Sequence, residues 1–227
     1  MCSIVPHGQI GLRTGRGNRR ASPDSARLRV RFPFVTATAP EEAPQAFTEA
    51  VASMHAASLR PEISLGEIRP PRKLAPFSHA VGLEVVQPET DIIPETSEGD
   101  AFGRLILLHD PRTEESWDGS MRLVAYIQSD MDSDVAEDPL LPQVAWEWLL
   151  EGLTESGVPY SHLGGTVTST NSVRHGDIGG PPQAFQLELR ASWTAADIDL
   201  TPHVEAFAHV LALVAGLPPE GVATLGS

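Results

Sequence analysis

Residues 185–193 read FQLELRASW, and this stretch decides the class of fold. Its apolar side chains recur at every second position, which is the spacing of a β-strand with one buried and one exposed face. The inward-facing set is Phe185, Leu187, Leu189, Ala191 and Trp193. The sequence therefore predicts a half-buried strand here.

Five further segments predict strands, and turn residues bound each of them. They are 63–68, 80–86, 102–108, 121–128 and 163–173. The segment 102–108 (FGRLILL) is apolar on both faces, so we expect it in the middle of a sheet with cover on each side. The segment 163–173 (LGGTVTSTNSV) is rich in β-branched residues but polar, so we expect it at an edge or beside a cleft.

Three segments predict amphipathic helices, because apolar residues recur at every third or fourth position. The first starts in the region 41–44 and runs to about Leu59, and the second runs from Leu141 to a stop at Gly157. The third has Thr201 as its N-cap, Pro202 as its first residue and a stop at Gly216. The links between most neighbouring strands have hairpin length, which favours antiparallel pairing. The predicted fold is α+β, a single mainly antiparallel sheet of about six strands in the order α-β-β-β-β-α-β-β-α, with the helices packed on it.

The chain has 227 residues, and its charge divides it into an arm, 1–40, and a single domain, 41–227. The arm carries seven arginines against Asp24 alone, a net charge of +6, and we expect it to be disordered. The domain carries the remaining −20, so it repels the phosphates of nucleic acids and of anionic membranes. Nucleic acid is therefore an unlikely partner except through the arm. No apolar run is long enough to span a bilayer, which excludes a membrane protein of that kind.

Cys2 is the only cysteine, so neither an internal disulfide nor a cysteine zinc site can form. The N-terminus shows no apolar segment of signal-peptide length. A reducing compartment suits such a chain, and we expect a cytoplasmic protein.

No motif in the chain predicts catalysis, a metal or a cofactor. His109-Asp110 is an adjacent pair that a base or a metal site uses, but Asp110-Pro111 is also an ordinary turn opening, and no second histidine stands at a ligand spacing. Asp130, Asp132 and Asp134 resemble the start of a calcium loop, whose glycine and final glutamate are missing. We predict no catalytic residues, no metal and no cofactor.

Seven residues are predicted to take part in binding: Arg72, Lys73, Trp117, Trp146, Leu150, Thr168 and Asn171. Arg72 and Lys73 lie in a proline-bounded loop that suits a carboxylate or phosphate. Trp146 and Leu150 fall off the core stripe of the second helix, so they are partly exposed or covered by something else. The leading hypothesis is a non-enzymatic binding or regulatory module that presents a sheet edge, or the helix face with Trp146 and Leu150, to a partner protein or to a second copy of itself. The alternative is a small hydrolase acting on an anionic small molecule, in which Arg72 and Lys73 hold the charge and either His109 and Asp110 or the polar strand around Thr168 and Asn171 lies near them.

Several long segments, in order, resemble an actinobacterial family known only as domain of unknown function 3000. They are RPEISLGEIRPPRKLAPFSHAVGLEV, GRLILLHDPRTEESWDGSMRLVAYI, DPLLPQVAWEWL, LGGTVTSTNSVRHGDIGGPP and LELRASWT. The resemblance covers about residues 45–225 and leaves out the arm. It implies a cytosolic protein from a GC-rich organism, and it implies no activity, ligand or catalytic residue.

Overall fold

The computed structural model describes residues 43–85, 101–177 and 179–220, and all three ranges belong to one compact unit. The predicted arm, 1–40, lies outside the described residues, as does the acidic segment 86–100. Within the described ranges, none of the helices has both the length and the apolar character that crossing a bilayer demands.

Six strands form one antiparallel sheet in the described part of the chain, as the sequence predicts. They are β1 Ile63–Glu67, β2 Phe77–Val85, β3 Ala101–His109, β4 Met121–Met131, β5 Tyr160–Val173 and β6 Gln183–Ala195. Their order across the sheet is β1-β2-β3-β4-β6-β5, and every neighbouring pair is antiparallel. The polar strand β5 lies at an edge and β3 lies inside the sheet, which confirms both predicted positions.

The helices follow the predicted order, with two short additions. The helices are α1 Gln45–Met54, α2 Glu114–Trp117, α3 Ser133–Ala136, α4 Leu141–Glu155 and α5 Thr201–Val214. The turn between β3 and β4 contains α2 and ends at Asp118 and Gly119, both with positive φ. Gly157 and Gly216 end α4 and α5 with φ values of 66° and 67°, which favour glycine.

The long helices α1, α4 and α5 pack against the same face of the sheet and share one core with it. The cross-strand row of Leu83, Gly103, Ile127 and Leu189 faces these helices, and the next row faces away. Phe185, Leu187 and Leu189 are only 9%, 1% and 0% exposed. The alternation in residues 185–193 therefore identifies the buried face correctly.

Glycines on the sheet and on α4 allow the helices to approach closely. A Cβ atom on Gly103 of β3 would lie 2.7 Å from Cζ of Phe207 in α5. A Cβ atom on Gly165 of β5 would lie 2.8 Å from Cζ3 of Trp146 in α4. Each glycine thus provides the space that one aromatic ring occupies.

Three details of the sequence prediction need correction. α1 ends at Met54 and not at Leu59, because the chain turns there and the Ser58 backbone N–H donates to Glu205 of α5. Thr201 is the first residue of α5 and not its N-cap; its hydroxyl donates to the Ser53 carbonyl, 3.0 Å away. Among the described residues the long helices cover one face of β3, and the expected cover on its second face is found only in part, since Leu108 there is buried while Arg104 is exposed.

One buried histidine links β6 to α5. His203 is 1% exposed, and its Nδ1 accepts a hydrogen bond from Nε1 of Trp193 at 3.2 Å. Burial lowers the pKa of His203 to about 4, against the opposing effect of Asp197 and Asp199. His203 is therefore neutral at physiological pH, and Nδ1 keeps the lone pair that the bond to Trp193 needs.

We predict that Gly103→Ala destabilises the fold by roughly 1–3 kcal/mol, because the added methyl group forces Phe207 out of its place. Urea unfolding measures the change. The matched control is Gly66→Ala, because a Cβ atom on Gly66 of β1 meets nothing within 4 Å. Equal free energies of unfolding for the two variants would contradict this packing.

We predict that the stabilising effect of neutral His203 declines as the pH falls from about 6.5 to about 4. The unfolded chain takes up a proton near pH 6.5 and the folded chain near pH 4, so acid favours unfolding by roughly 3 kcal/mol over this interval. The stability difference between the wild type and His203→Gln should shrink over the same interval in urea unfolding. His209→Gln, a change at an exposed position on the same helix, provides the control. A difference that is constant with pH would refute the prediction.

Candidate functional site

The sheet face opposite α1, α4 and α5 is the candidate site, and we call it the helix-free face. It consists of every second strand residue, in register across five strands. The central row is Gly82, Arg104, Tyr126, Arg190 and Thr166. The rows on either side are Glu84, Phe102, Gln128, Glu188 and Thr168, and Ala80, Ile106, Val124, Ser192 and Gly164.

Tyr126 lies at the centre of this face in a network of polar contacts. Its hydroxyl is 2.7 Å from Oε1 of Gln128 and 2.9 Å from Oε2 of Glu188, and it donates its proton to one of these acceptors. Arg190 binds both Glu188 oxygens, at 2.9 and 3.0 Å, and its guanidinium lies 5.5 Å from the Tyr126 ring centroid. Burial, followed by the bond to Glu188, raises the pKa of Tyr126.

Arg104 is exposed and has no acidic partner in the part of the chain that the structure describes. Its guanidinium carbon lies 5.4 Å from the Phe102 ring centroid on the same strand. The charge of Arg104 is therefore available to an anion from outside, while the ring holds the guanidinium in place.

Arg122 is half-buried on the same face, in the row beyond Val124, and among the described residues it binds neutral acceptors only. Its Nη1 donates to Oγ1 of Thr194 at 3.0 Å, and its Nη2 donates to Oγ of Ser192 at 2.7 Å and to the Ser192 carbonyl at 3.3 Å. Loss of contact with water lowers the pKa of Arg122, and no carboxylate of the described residues opposes that effect. A cation with reduced hydration and no counter-ion favours an anionic ligand.

The loop between β1 and β2 folds onto the helix-free face and brings more positive charge to it. Cγ2 of Ile68 fills the space beside Gly82, and Ser78 donates a hydrogen bond to the Pro71 carbonyl. Arg69, Arg72 and Lys73 lie in this loop and are exposed.

Charge is strongly segregated in the described residues. They contain nine arginine and lysine residues and 22 acidic residues. Six of the nine cations belong to the helix-free face or to its loop: Arg69, Arg72, Lys73, Arg104, Arg122 and Arg190. Three of the 22 acids belong to the same face: Glu84, Asp130 and Glu188. The helix-free face is therefore basic on a domain that is otherwise acidic.

Two shallow hollows flank Tyr126 on this face. One, of about 440 Å³, lies over Gly82, with Phe102 and Arg104 in its lining. The other, of about 340 Å³, lies over Gly164, with Thr166, Arg190 and Ser192 in its lining. The lining of each hollow thus includes one arginine and a glycine on the helix-free face.

The structure brings some of the predicted binding residues to this face. Arg72 and Lys73 lie in its loop, and Thr168 lies on β5 opposite Glu188. The backbone carbonyl of Trp117 accepts a hydrogen bond from the Thr194 hydroxyl. Thr194 in turn accepts a hydrogen bond from Arg122, so Trp117 fixes the position of that acceptor.

The other predicted binding residues lie elsewhere. Asn171 is paired with Phe185 on the helix side of the sheet, and its Oδ1 accepts a bond from Gln183. Trp146 is half-buried with its ring over Gly165, and Leu150, one turn further along α4, is half-buried too. The Trp146 ring therefore packs against β5 within the fold. This is one of the two outcomes expected from the sequence, partial exposure or cover by another element.

The candidate catalytic pair is not assembled. His109 lies on the helix side of the sheet between Phe47 and Phe77. Its Nδ1 is 3.0 Å from the Ser120 carbonyl, and its Nε2 is buried and has no hydrogen-bond partner among the described residues. Asp110 binds Arg112 instead, which lowers the pKa of its carboxyl group. None of the pockets found in the described ranges is lined by both His109 and Arg72.

A second pair of histidines is close in space, although the sequence gives no sign of it. Nε2 of His55, at the end of α1, is 2.9 Å from Nε2 of His79 on β2, so one ring donates a hydrogen bond to the other. Burial, then the nearby His55, lowers the pKa of His79, against the opposing effect of Glu67. Within the described ranges no three histidine, cysteine, aspartate or glutamate side chains meet closely enough to hold a metal ion.

Comparison with known proteins identifies one family. A family model described as "Protein of unknown function (DUF3000)" matches residues 43–223. Neither the curated proteins nor the solved structures gave a significant match to this chain.

We predict that Tyr126 ionises above the usual range of tyrosine and that Glu188→Gln moves its pKa back toward the ordinary value, because the change removes a negative charge beside the hydroxyl. Absorbance titration of tyrosinate formation measures this shift. Tyr126→Phe assigns the transition, since Tyr160 is the only other tyrosine. A titration that Glu188→Gln leaves unchanged would contradict the network.

Proposed function

This chain belongs to the DUF3000 family of proteins of unknown function, and we propose that its domain is a non-enzymatic binding module whose helix-free face holds an acidic segment of a partner protein. The observation that carries the proposal is the charge segregation: an acidic domain collects two thirds of its described cations on one sheet face and its loop. Such a surface attracts an acidic partner.

The spacing of the arginines suits an extended chain. Arg104 and Arg190 lie two strands apart in one row, which places their Cα atoms about 9.6 Å from each other, since neighbouring strands lie about 4.8 Å apart. Residues three apart in an extended segment are separated by about 10 Å. A segment that crosses the strands can therefore present one carboxylate to each arginine, on either side of Tyr126.

The alternative, a hydrolase for an anionic small molecule, requires a general base beside the cations. The residue proposed for this role, His109, lies on the helix side of the sheet, while the cations lie on the helix-free face. This separation favours the binding proposal. We further propose that the module acts in the cytoplasm, that residues 1–40 are an appendage to it, and that contact with a second copy is less favoured than contact with an acidic partner.

The test uses charge reversal at two cations that have no acidic partner in the described part of the chain, Arg72 and Arg104. We expect the double variant Arg72→Glu/Arg104→Glu to bind a fluorescein-labelled peptide of alternating glutamate and serine at least about tenfold more weakly than the wild type, because each reversal turns attraction into repulsion. Fluorescence anisotropy at low and at physiological salt measures Kd, which should rise with salt in the wild type.

The control is Arg112→Glu/Arg174→Glu, which changes the net charge equally at two cations outside the helix-free face. An equal loss of affinity in both double variants would show only a general effect of charge. No binding of the peptide by the wild type would overturn the proposal, and dimerisation that depends on Arg104 would replace the partner with a second copy.

A further inference from the structure

The hollow over Gly164 has a lining that differs from the rest of the helix-free face, because its polar side chains all offer hydrogen-bond donors. Ser192, Thr166 and Arg190 line it, and Arg122 lies behind Ser192 with its Nη2 2.7 Å from Oγ of that residue. We infer that this hollow is the subsite for a phosphate monoester carried by the bound segment, an inference that rests on the proposed function.

The three hydroxyl groups in and beside the hollow divide into one that is used within the fold and two that are free to bind a ligand. Thr194 accepts from Arg122 and donates its own proton to the Trp117 carbonyl, so its hydrogen-bonding capacity within the fold is filled. Ser192 accepts from Arg122, and in the described part of the chain its proton has no acceptor. Thr166 of β5 also lines the hollow, and its hydroxyl makes no bond in that part either. Both protons are available to an oxyanion.

Arg190 is the charged residue in the lining of the hollow, and two further charged groups lie next to lining residues: Glu188 beside Arg190 and Arg122 behind Ser192. Arg190 is bound to Glu188, and that pair is close to neutral as a unit. Arg122 has no carboxylate partner among the described residues, so the hollow keeps a net positive charge of about one. An anion placed here gains the attraction of Arg122, because no protein group already opposes it.

A phosphate monoester suits this set of donors better than a carboxylate does. Ser192, Thr166 and Arg190, which all carry donor groups, line the hollow, and a phosphate monoester presents three terminal oxygens where a carboxylate presents two. The floor is Gly164, where a Cβ atom would meet nothing within 4 Å, and the volume of about 340 Å³ holds a phosphate with part of its carrier. The hollow lies on the open surface of strands β4, β6 and β5, which a phosphorylated segment can reach while it crosses the face.

The experiment compares the glutamate and serine peptide with the same peptide phosphorylated at one central serine. We expect the wild type to bind the phosphorylated peptide about tenfold more tightly by fluorescence anisotropy. Gly164→Leu fills the hollow without removing a charge, and Arg122→Gln removes the charge without filling the hollow; both variants should bind the two peptides equally. Gly66→Leu, on the same face at the opposite edge strand, should retain the tenfold preference, because Gly66 is equally open and lies outside the hollow.

The outcomes separate this inference from the proposed function. A wild type that binds both peptides with equal affinity overturns the phosphate subsite and leaves the binding module intact, whereas a wild type that binds neither overturns both. Retention of the preference in Gly164→Leu, with its fold verified by thermal unfolding, also overturns the subsite. Displacement of the phosphorylated peptide by inorganic phosphate at a concentration equal to the peptide Kd would contradict a segment-borne ligand and assign the hollow to free phosphate.

Discussion

The close packing of three helices onto one face of the sheet is the constraint on which the rest of the molecule depends. Phe207 and Trp146 lie directly over Gly103 and Gly165, so that side of the sheet has no room for water or for a charge. Strand residues alternate between the two faces, and every charged side chain in the middle of β3, β4 and β6 must therefore point away from the helices. The charged side chains of these strands therefore lie on the helix-free face, because the opposite face is packed against the helices and excludes water.

The charges that collect on the helix-free face are not a random sample of the chain. Arg104, Arg122 and Arg190 lie on three adjacent strands, and only Arg190 has a carboxylate partner among the described residues. Surface ion pairs stabilise a fold weakly, so the sheet itself does not require these arginines. Binding provides a physical reason for unpaired cations on an acidic domain, since the field they create draws in an acidic partner and orients it.

The sequence predicts the elements of this fold better than it predicts the site. Strict alternation in residues 185–193 and the helical spacing in 141–153 are local signals, and both identify the buried face correctly. The site depends instead on register. In the sequence, Arg104 appears only as an interruption of an apolar run. Its place in one row with Tyr126 and Arg190 depends on the strand order, in which β6 lies between β4 and β5. The partners of Arg122 lie about 70 residues further along the chain, beyond the reach of any local pattern. Thr201 shows a related limit, because a tertiary bond to Ser53 takes the hydroxyl that a local N-cap would use.

The most direct measurement is a nuclear magnetic resonance titration that follows the Nε–Hε signals of the arginines while the acidic peptide is added. The account predicts that the signals of Arg104, Arg122 and Arg190 shift together and saturate at one peptide concentration, while those of Arg60, Arg112 and Arg174 stay in place. Shifts that are spread evenly over all six arginines, or confined to Arg112 and Arg174, would contradict a binding site on the helix-free face.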